Sequence, residues 1–580
     1  MTFDTLTMIA VAGELQELAG ARVQRVIQPS REEIVLSLYH CGEEHSLLLS
    51  AHPHYARVHL TRQRCRRPEQ PPPFCMLLRK YLTGAQIGAF SQPHLERILI
   101  LRFEEHEGMP AVKLIAEIMG RRSNIVLVDG KGIILGAIKT ATLEQNPRRA
   151  VMPGLPYAEV PPQRKLDPTA VERDSLSKAM LPLLVQGMIP EEALLKAVCG
   201  ISPLAAREAV YRSSWNDEAP MGSIERLSSV LRELFSGSGA EGAFLIPELN
   251  IYAPYPLTHI QHSPMQRFSQ MNELLDRFYA KLARAEEKEK LQGQLRSRVN
   301  RRKSRLEQKL EGLEKELRQA GEADRYRIYG ETLLTYGAMV DRGAAEATLP
   351  HLYQPEERIT IPLDPSLNAA GNARKYFRRY RKVSNSRKHL KGQISMIHDE
   401  LAYCRELLYA IEQGNLSSLA EIREELVESG YMKPHPKESL RRKKKQRREK
   451  PRPLSFKASS GNTILVGLNN RQNDYLTFKI AAGRDTWLHV QGLPGSHVII
   501  KGASETAAES DLEEAALLAA YYSRGRDLPA VAVDYTEVRH LRRAPGGKPG
   551  FVLYNRYQTI TVNPRGEKLK QLLQQHIPEN

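Results

Sequence analysis

Two histidines, His489 and His497, flank the Pro494-Gly495 turn, with Asp485 and Ser496 close by in the chain. Such residues serve elsewhere as metal ligands or as a nucleophile with its base. Here the spacing argues against both. His-x7-His across a strand turn is not a zinc spacing, and no GxSxG, HExxH or phosphate-loop pattern accompanies it. As a strand, Asp485-Thr486-Trp487-Leu488-His489 puts Asp485, Trp487 and His489 on one face. A sheet facing nucleic acid fits Trp487, His489 and His497 at least as well as catalysis. His52 and His54, split by Pro53, read as polar-loop residues and not as a metal pair. No cofactor and no metal is expected, and the chain does not read as an enzyme.

Other stretches pair charge with recognition chemistry. Glu96-Arg97 precedes a strand, and Glu117-Ile118-Met119-Gly120-Arg121-Arg122-Ser123-Asn124 ends one. A carboxylate beside a cation at a strand edge can accept from base amino groups while the arginine reads phosphate or guanine. An internal salt bridge is the competing reading, and spacing alone favours it. In Asn372–Lys382 six of eleven residues are cationic, among them Arg378, Arg379 and Lys382, interleaved with Tyr376, Phe377 and Tyr380. The rings either stack on bases or pack as knobs behind a solvated cationic face. The run Arg441-Arg442-Lys443-Lys444-Lys445-Gln446-Arg447-Arg448 has no apolar residue and suits a polyanion, with steep salt dependence.

The elements that position these residues follow from periodicity. Residues 1–166 alternate strand-like runs behind an opening helix and form an α+β head dominated by antiparallel sheet. Residues 167–240 turn to short helices, and Gly200-Ile201-Ser202-Pro203 between two of them suits either a helix-hairpin-helix, whose turn amides can cradle phosphate, or a plain helical turn. A strand-like connection (241–264) leads to an arm (265–433). Its limbs, about 265–330 and 366–430, carry apolar stripes at Val299, Leu306, Leu310, Leu313 and Leu317 and at Leu390, Ile394, Ile397, Leu401, Cys404, Leu408 and Ile411. Spacings of three and four predict an antiparallel helical hairpin. A basic linker (434–453) and a compact α/β domain (454–575) follow. The fold class is thus multidomain α+β. With 84 Lys and Arg against 67 Asp and Glu, the net charge is +17, which points to a polyanionic partner. No apolar run approaches a membrane span, the start Met1-Thr2-Phe3-Asp4 lacks a secretory pattern, and five scattered cysteines include no CxxC pair. A cytoplasmic protein is expected.

The order of these pieces resembles the NFACT-domain family of ribosome quality-control factors. The resemblance rests on Leu48–Pro53, Tyr55–Thr61, Pro72–Lys80, Glu117–Arg121, Asn372-Ala373, Asp485–His489 and Pro494–Val498. It implies an NFACT head, a helix-hairpin-helix, an antiparallel coiled-coil arm and a C-terminal NFACT-R domain, in a monomer on the ribosome. It implies binding to a large ribosomal subunit holding peptidyl-tRNA, with recruitment of alanyl-tRNA for template-free alanine tailing and a small RNA-binding protein as a further partner. The family's acidic-Arg pair for tRNA recruitment falls on Glu96 and Arg97, where Glu replaces the usual Asp. Its second tRNA patch falls on Glu117, Ile118 and Met119, with Arg121 closing it. Arg378, Arg379, Lys382, Arg441, Arg442, Lys443, Lys444, Lys445, Trp487, His489 and His497 are the expected ribosome contacts. A fibronectin-binding surface adhesin is the alternative; a glycosylase-like enzyme is the third reading, although the head's resemblance to that fold brings neither an N-terminal proline nor a zinc cluster.

Overall fold

The computed structural model describes residues 3–65, 67–144, 149–161, 163–236, 242–319, 323–433, 451–502, 509–543 and 548–574. The chain divides into two units, Met1–Ala283 and Arg284–Asn580.

In the first unit, helix α1 (Thr5–Leu15) is capped by Asp4, whose Oδ1 accepts the Thr7 amide at 2.9 Å. Two antiparallel sheets follow, each with its strands in sequence order. The first holds β1 (Arg22–Ser30), β2 (Glu33–His40), β3 (Glu43–Ser50) and β4 (Arg57–Leu60). The second holds β5 (Ile87–Ser91), β6 (Ile98–Phe103), β7 (Val112–Glu117), β8 (Asn124–Asp129) and β9 (Ile134–Ala137). Helix α2 (Pro73–Leu82) joins them. The β2–β3 hairpin closes on Cys41 and Gly42, both at positive φ (48° and 89°), the two-residue turn whose twist matches its strands.

Alternation along β6–β8 buries both faces of the second sheet. Leu99, Leu101, Leu114, Ala116 and Leu127 enter the main core of the head with α1 and the first sheet. Ile98, Ile115, Val126 and Val128 face the other way, against Val151, Tyr157 and Val160 of a strap that returns over the sheet. Next come α3 (Arg173–Val185), α4 (Pro190–Ala197), α5 (Pro203–Arg212) and α6 (Pro220–Ser236), then a three-stranded sheet of β10 (Ala243–Ile246), β11 (Ile251–Ala253) and β12 (Gln266–Phe268). Helix α7 (Met271–Gln319) begins in this unit, where Leu274, Leu275, Phe278 and Tyr279 complete the head's core.

In the second unit, α7 continues and pairs with α9 (Ala369–Gln413), after α8 (Ala323–Thr335) and the hairpin of β13 (Glu346–His351) and β14 (Gln354–Pro362). The helices run in opposite directions: Gln292 donates to the Ile411 carbonyl at 2.8 Å, and Arg302 meets Glu400 at 2.7 Å. All twelve stripe residues named above lie in the cluster between them. Helix α10 (Leu416–Glu428) folds back on α9 through Leu419, Ile422 and Leu426. The C-terminal domain is a six-stranded sheet ordered β15 (Leu454–Lys457), β16 (Thr463–Val466), β18 (Val498–Lys501), β17 (Thr486–Val490), β19 (Val531–Glu537), β22 (Gln558–Val562), with a separate pair, β20 (Arg542–Arg543) and β21 (Val552–Leu553). Its helices are α11 (Asn470–Tyr475), α12 (Glu509–Tyr521) and α13 (Glu567–Gln574). No described helix is long and apolar enough to cross a membrane.

Candidate nucleic-acid interface

The antiparallel register of β6 and β7 sets Ile98 opposite Glu117. One step beyond the ladder, the Ile118 amide donates to the Arg97 carbonyl at 2.8 Å. Glu96-Arg97 and Glu117-Ile118-Met119, twenty residues apart in the chain, therefore lie side by side. The chain enters β6 through His94 and Leu95, both at positive φ (50° and 54°). Side chains rarely adopt that conformation without compensation from their surroundings. Part of it comes from Gly200, itself at φ 68°, packed so closely that a Cβ there would sit 3.1 Å from the Leu95 carbonyl. The Gly200–Pro203 turn thus abuts the Glu96-Arg97 turn. Its anion is internal: Ser202 Oγ caps α5 and donates to Asp4 Oδ2 at 2.8 Å.

Glu96 and Arg97 are half-buried. Glu96 accepts from Gln163 Nε2 at 3.2 Å, and the Arg97 guanidinium has no partner among the described residues. No ion pair joins them; the internal salt bridge favoured by spacing is found instead at Glu117, with Arg149. Glu117 and Ile118 require a correction. The Glu117 side chain is 3% exposed, with Arg149 Nη2 at 2.5 Å and the Tyr157 hydroxyl donating at 2.7 Å. The Arg149 guanidinium also lies over the Tyr157 ring at 4.7 Å. Burial and the neighbouring carboxylate push the Tyr157 phenol far above its usual range. For Arg149, burial opposes the charge, but Glu117 outweighs it and raises the pKa. Ile118 is in the core. Neither side chain offers a surface to RNA. They lead into the next turn, where the Met119 amide donates to Ser123 Oγ at 2.8 Å and Arg121 and Arg122 stand exposed. A cleft of about 820 Å³ elsewhere on the head, lined by Arg25, Arg62, Arg64 and Arg67 among others, includes none of these residues.

In the C-terminal domain the aromatic face lies inside. Trp487 is fully buried with Leu476, Ile499 and Leu541, its ring centroid 5.8 Å from His489, 5.2 Å from His497 and 5.0 Å from Tyr554. His497 is buried and 2.8 Å from Thr477 Oγ1 through Nδ1. Burial depresses the His489 imidazole to about 4 and lowers His497 as well. Trp487 and His497 are therefore not surface contacts, and His489 is half-buried beside them. A second layer from Leu476, Ile480, Val538, Leu541, Val552 and Tyr554 covers the face that alternation alone left open. Asp485 is spent on Lys501, 2.7 Å away. Among the described residues no group of three or more His, Cys, Asp or Glu is placed to hold a metal ion.

The chain matches the NFACT N-terminal and middle domains over residues 4–448 and the NFACT protein RNA binding domain over residues 452–553. It is 36% identical to "Rqc2 homolog RqcH" of Bacillus subtilis, covering 99% of this chain and 100% of that protein. The homologue of the same name from Streptococcus pneumoniae is 32% identical, over 98% and 99%. The N-terminal part of a fibronectin/fibrinogen-binding protein from Streptococcus suis aligns with 48% of this chain and 100% of that one, at 32% identity and a TM-score of 0.42.

The chain belongs to the NFACT family of ribosome quality-control factors. Of the other expected contacts, Arg378, Arg379 and Lys382 are exposed on α9, whereas Tyr376 and Phe377 are packing knobs: Tyr376 is buried, and Phe377 presses on Gly330. The packing reading holds for these rings. Arg441, Arg442, Lys443, Lys444 and Lys445 lie outside the described residues. Sequence reasoning missed Arg149, Tyr157 and Gln163, because each meets its partner across 32 to 67 residues of chain.

Proposed function

We propose that this NFACT protein binds obstructed large ribosomal subunits that retain peptidyl-tRNA and recruits alanyl-tRNA for template-free alanine tailing of the stalled chain. The observation that supports this reading is the adjacency of Glu96-Arg97 and Glu117–Arg121 on neighbouring strands, in a chain aligned over nearly its whole length with Rqc2 homologues. In this reading Arg97, Arg121 and Glu96 touch the tRNA, and Glu117 and Ile118 fix the turn. The ribosome makes the peptide bonds, and the protein positions the substrate in the cytoplasm without a cofactor. Residues 167–240 act as a helix-hairpin-helix module. The α7–α9 pair serves as a coiled-coil arm whose exposed Arg378, Arg379 and Lys382, with the basic run at 441–445, meet phosphates of the subunit. Purification of the tagged protein from cells tests this. Large subunits with tRNA in the pellet support it; intact ribosomes only, or no RNA, refute it.

A further inference from the structure

The loop between β3 and β4, His52-Pro53-His54-Tyr55, has no part in the reading above. His52 and Tyr55 stack with centroids 5.0 Å apart and planes within 6°. The His54 ring stands across both, at 57° and 62°, and His54 is exposed. His52 Nδ1 faces the His54 and Tyr55 amides at 3.3 and 3.2 Å, so the ring is an acceptor there and carries its proton on Nε2, 4.0 Å from Glu32. Lys139 donates to the Ala51 carbonyl and lies 3.7 Å from Glu32, while its own backbone is clasped by the Asn124 side chain of β8. The loop is thereby tied to the sheet that carries Glu117. It also lies next to the turn after Glu117: a Cβ on Gly120 would sit 3.8 Å from the Pro53 carbonyl. On that turn Arg121 and Arg122 are exposed, with no side-chain partner among the described residues.

An exposed ring propped by two others, on a loop next to the turn that carries two unpaired guanidinium groups, has the composition of a single-strand RNA contact: a flat face for a base and cations for the flanking phosphates. Edge contacts of His54 with the stacked His52 and Tyr55 rings and hydrogen bonds along the loop hold the ring before a ligand arrives, which lowers the ordering cost of binding. The acidic residues at the base of the loop are occupied, Glu32 by Lys139 and His52 and Glu33 by Arg57. We propose that His54, supported by His52 and Tyr55, forms with Arg121 and Arg122 a surface that stacks an unpaired RNA base and grips the phosphates on either side. This rests on the reading of the head as an RNA-binding element and adds the loop to it.

Fluorescence anisotropy with the full-length protein tests the surface, using a labelled single-stranded 12-nucleotide RNA and deacylated tRNA across a KCl series. His54→Ala should weaken binding about 5-fold or more without changing the salt slope, and His54→Phe should restore it. Arg121→Ala with Arg122→Ala should reduce the slope of log K against log salt by about 1.4 for single-stranded RNA, two phosphates' worth. Circular dichroism confirms that each variant is folded. The Glu96→Ala/Arg97→Ala variant, run in parallel, separates the two ideas. If it loses tRNA while the His54 and Arg121/Arg122 variants bind both RNAs as the parent does, the surface is refuted together with the Arg121 contact to tRNA, and the Glu96-Arg97 assignment stands. If the parent protein binds neither RNA, both fall. If oligoglutamate competes as well as RNA at equal charge, the surface takes acidic peptide and the RNA assignment is overturned.

Discussion

Replacing Glu117 with Ala separates a support from a contact. The carboxylate is 3% exposed and its partner Arg149 14% exposed, so substitution strands a nearly buried guanidinium. Breaking one side of a buried pair costs about 3–5 kcal/mol. The Tyr157 hydroxyl loses its acceptor as well, a further penalty of about 1–3 kcal/mol if nothing replaces it. Against this, Arg149 keeps the Ala158 carbonyl at 2.6 Å and the face of Tyr157, and it retains some access to water. We therefore place the net loss near the lower end, about 3 kcal/mol. For a unit of this size that corresponds to a fall in Tm of roughly 6–12 °C. Glu117→Leu with Arg149→Met removes both charges and should be less destabilised than the two single changes added together, with a coupling of about 2 kcal/mol. Urea unfolding of Glu117→Ala, the two single changes and their combination, beside tRNA binding at a temperature where each is folded, measures this. Were Glu117→Ala within about 0.5 kcal/mol of the parent in stability and yet unable to bind tRNA, the carboxylate would act by direct contact and the argument from burial would be wrong.

Glu96→Ala with Arg97→Ala should abolish alanine tailing while leaving large-subunit binding intact, read by the C-terminal composition of stalled chains and by sedimentation; persistent tailing would reject the assignment. Glu208, buried and bonded to Arg212, Thr258 and His259, resists the effect of burial through those hydrogen bonds and is held down at about 2. Its stabilisation is complete above the unfolded value near 4.5 and is lost as pH falls towards 2; Glu208→Gln should flatten acid unfolding in that window. Glu425 behaves oppositely. Burial raises it to about 7 despite hydrogen bonds from Tyr403 and Asn470, and its Oε2 has no partner among the described residues. The packing of α10 against α9 and α11 should therefore weaken as pH rises from about 4.5 through 7, and Glu425→Gln should remove that dependence in hydrogen exchange of these helices. Asp4→Ala removes the α1 cap and the acceptor of Ser202, for a loss of about 1–2 kcal/mol in thermal unfolding.

What the sequence made legible was what depends on neighbours in the chain. The stripes from Val299 to Leu317 and from Leu390 to Ile411 needed only helical spacing. The shared face of Trp487 and His489 was equally readable, but which side of the sheet would be covered was not. That depended on Leu476, Leu541 and Tyr554, residues with no local signal. Glu117 sits in an internal ion pair, as spacing alone favoured, but its partners Arg149 and Tyr157 return over it from far along the chain and carried no local signal. The Glu96-Arg97 and Glu117–Met119 stretches were both legible, and their adjacency came from a strand register that pattern alone does not specify.

The dependence of the head on α7 fixes when it can close during synthesis. The Leu60 amide on β4 is satisfied by Asn272 Oδ1 at 2.7 Å, and Thr61 and the Arg62 amide by Asp276, partners more than 200 residues downstream. Glu14, in return, accepts the Met271 and Asn272 amides that open α7. At elongation rates of about 5–20 residues per second, β4 leaves the ribosome roughly 10–40 seconds before those partners do. Through that interval its donors are unmet by their final acceptors and the apolar side that Leu274, Leu275 and Phe278 will cover stays open. A copy of this gene whose translation halted before Met271 would release a head with an open seam, the sort of unfinished product that this family's own pathway removes.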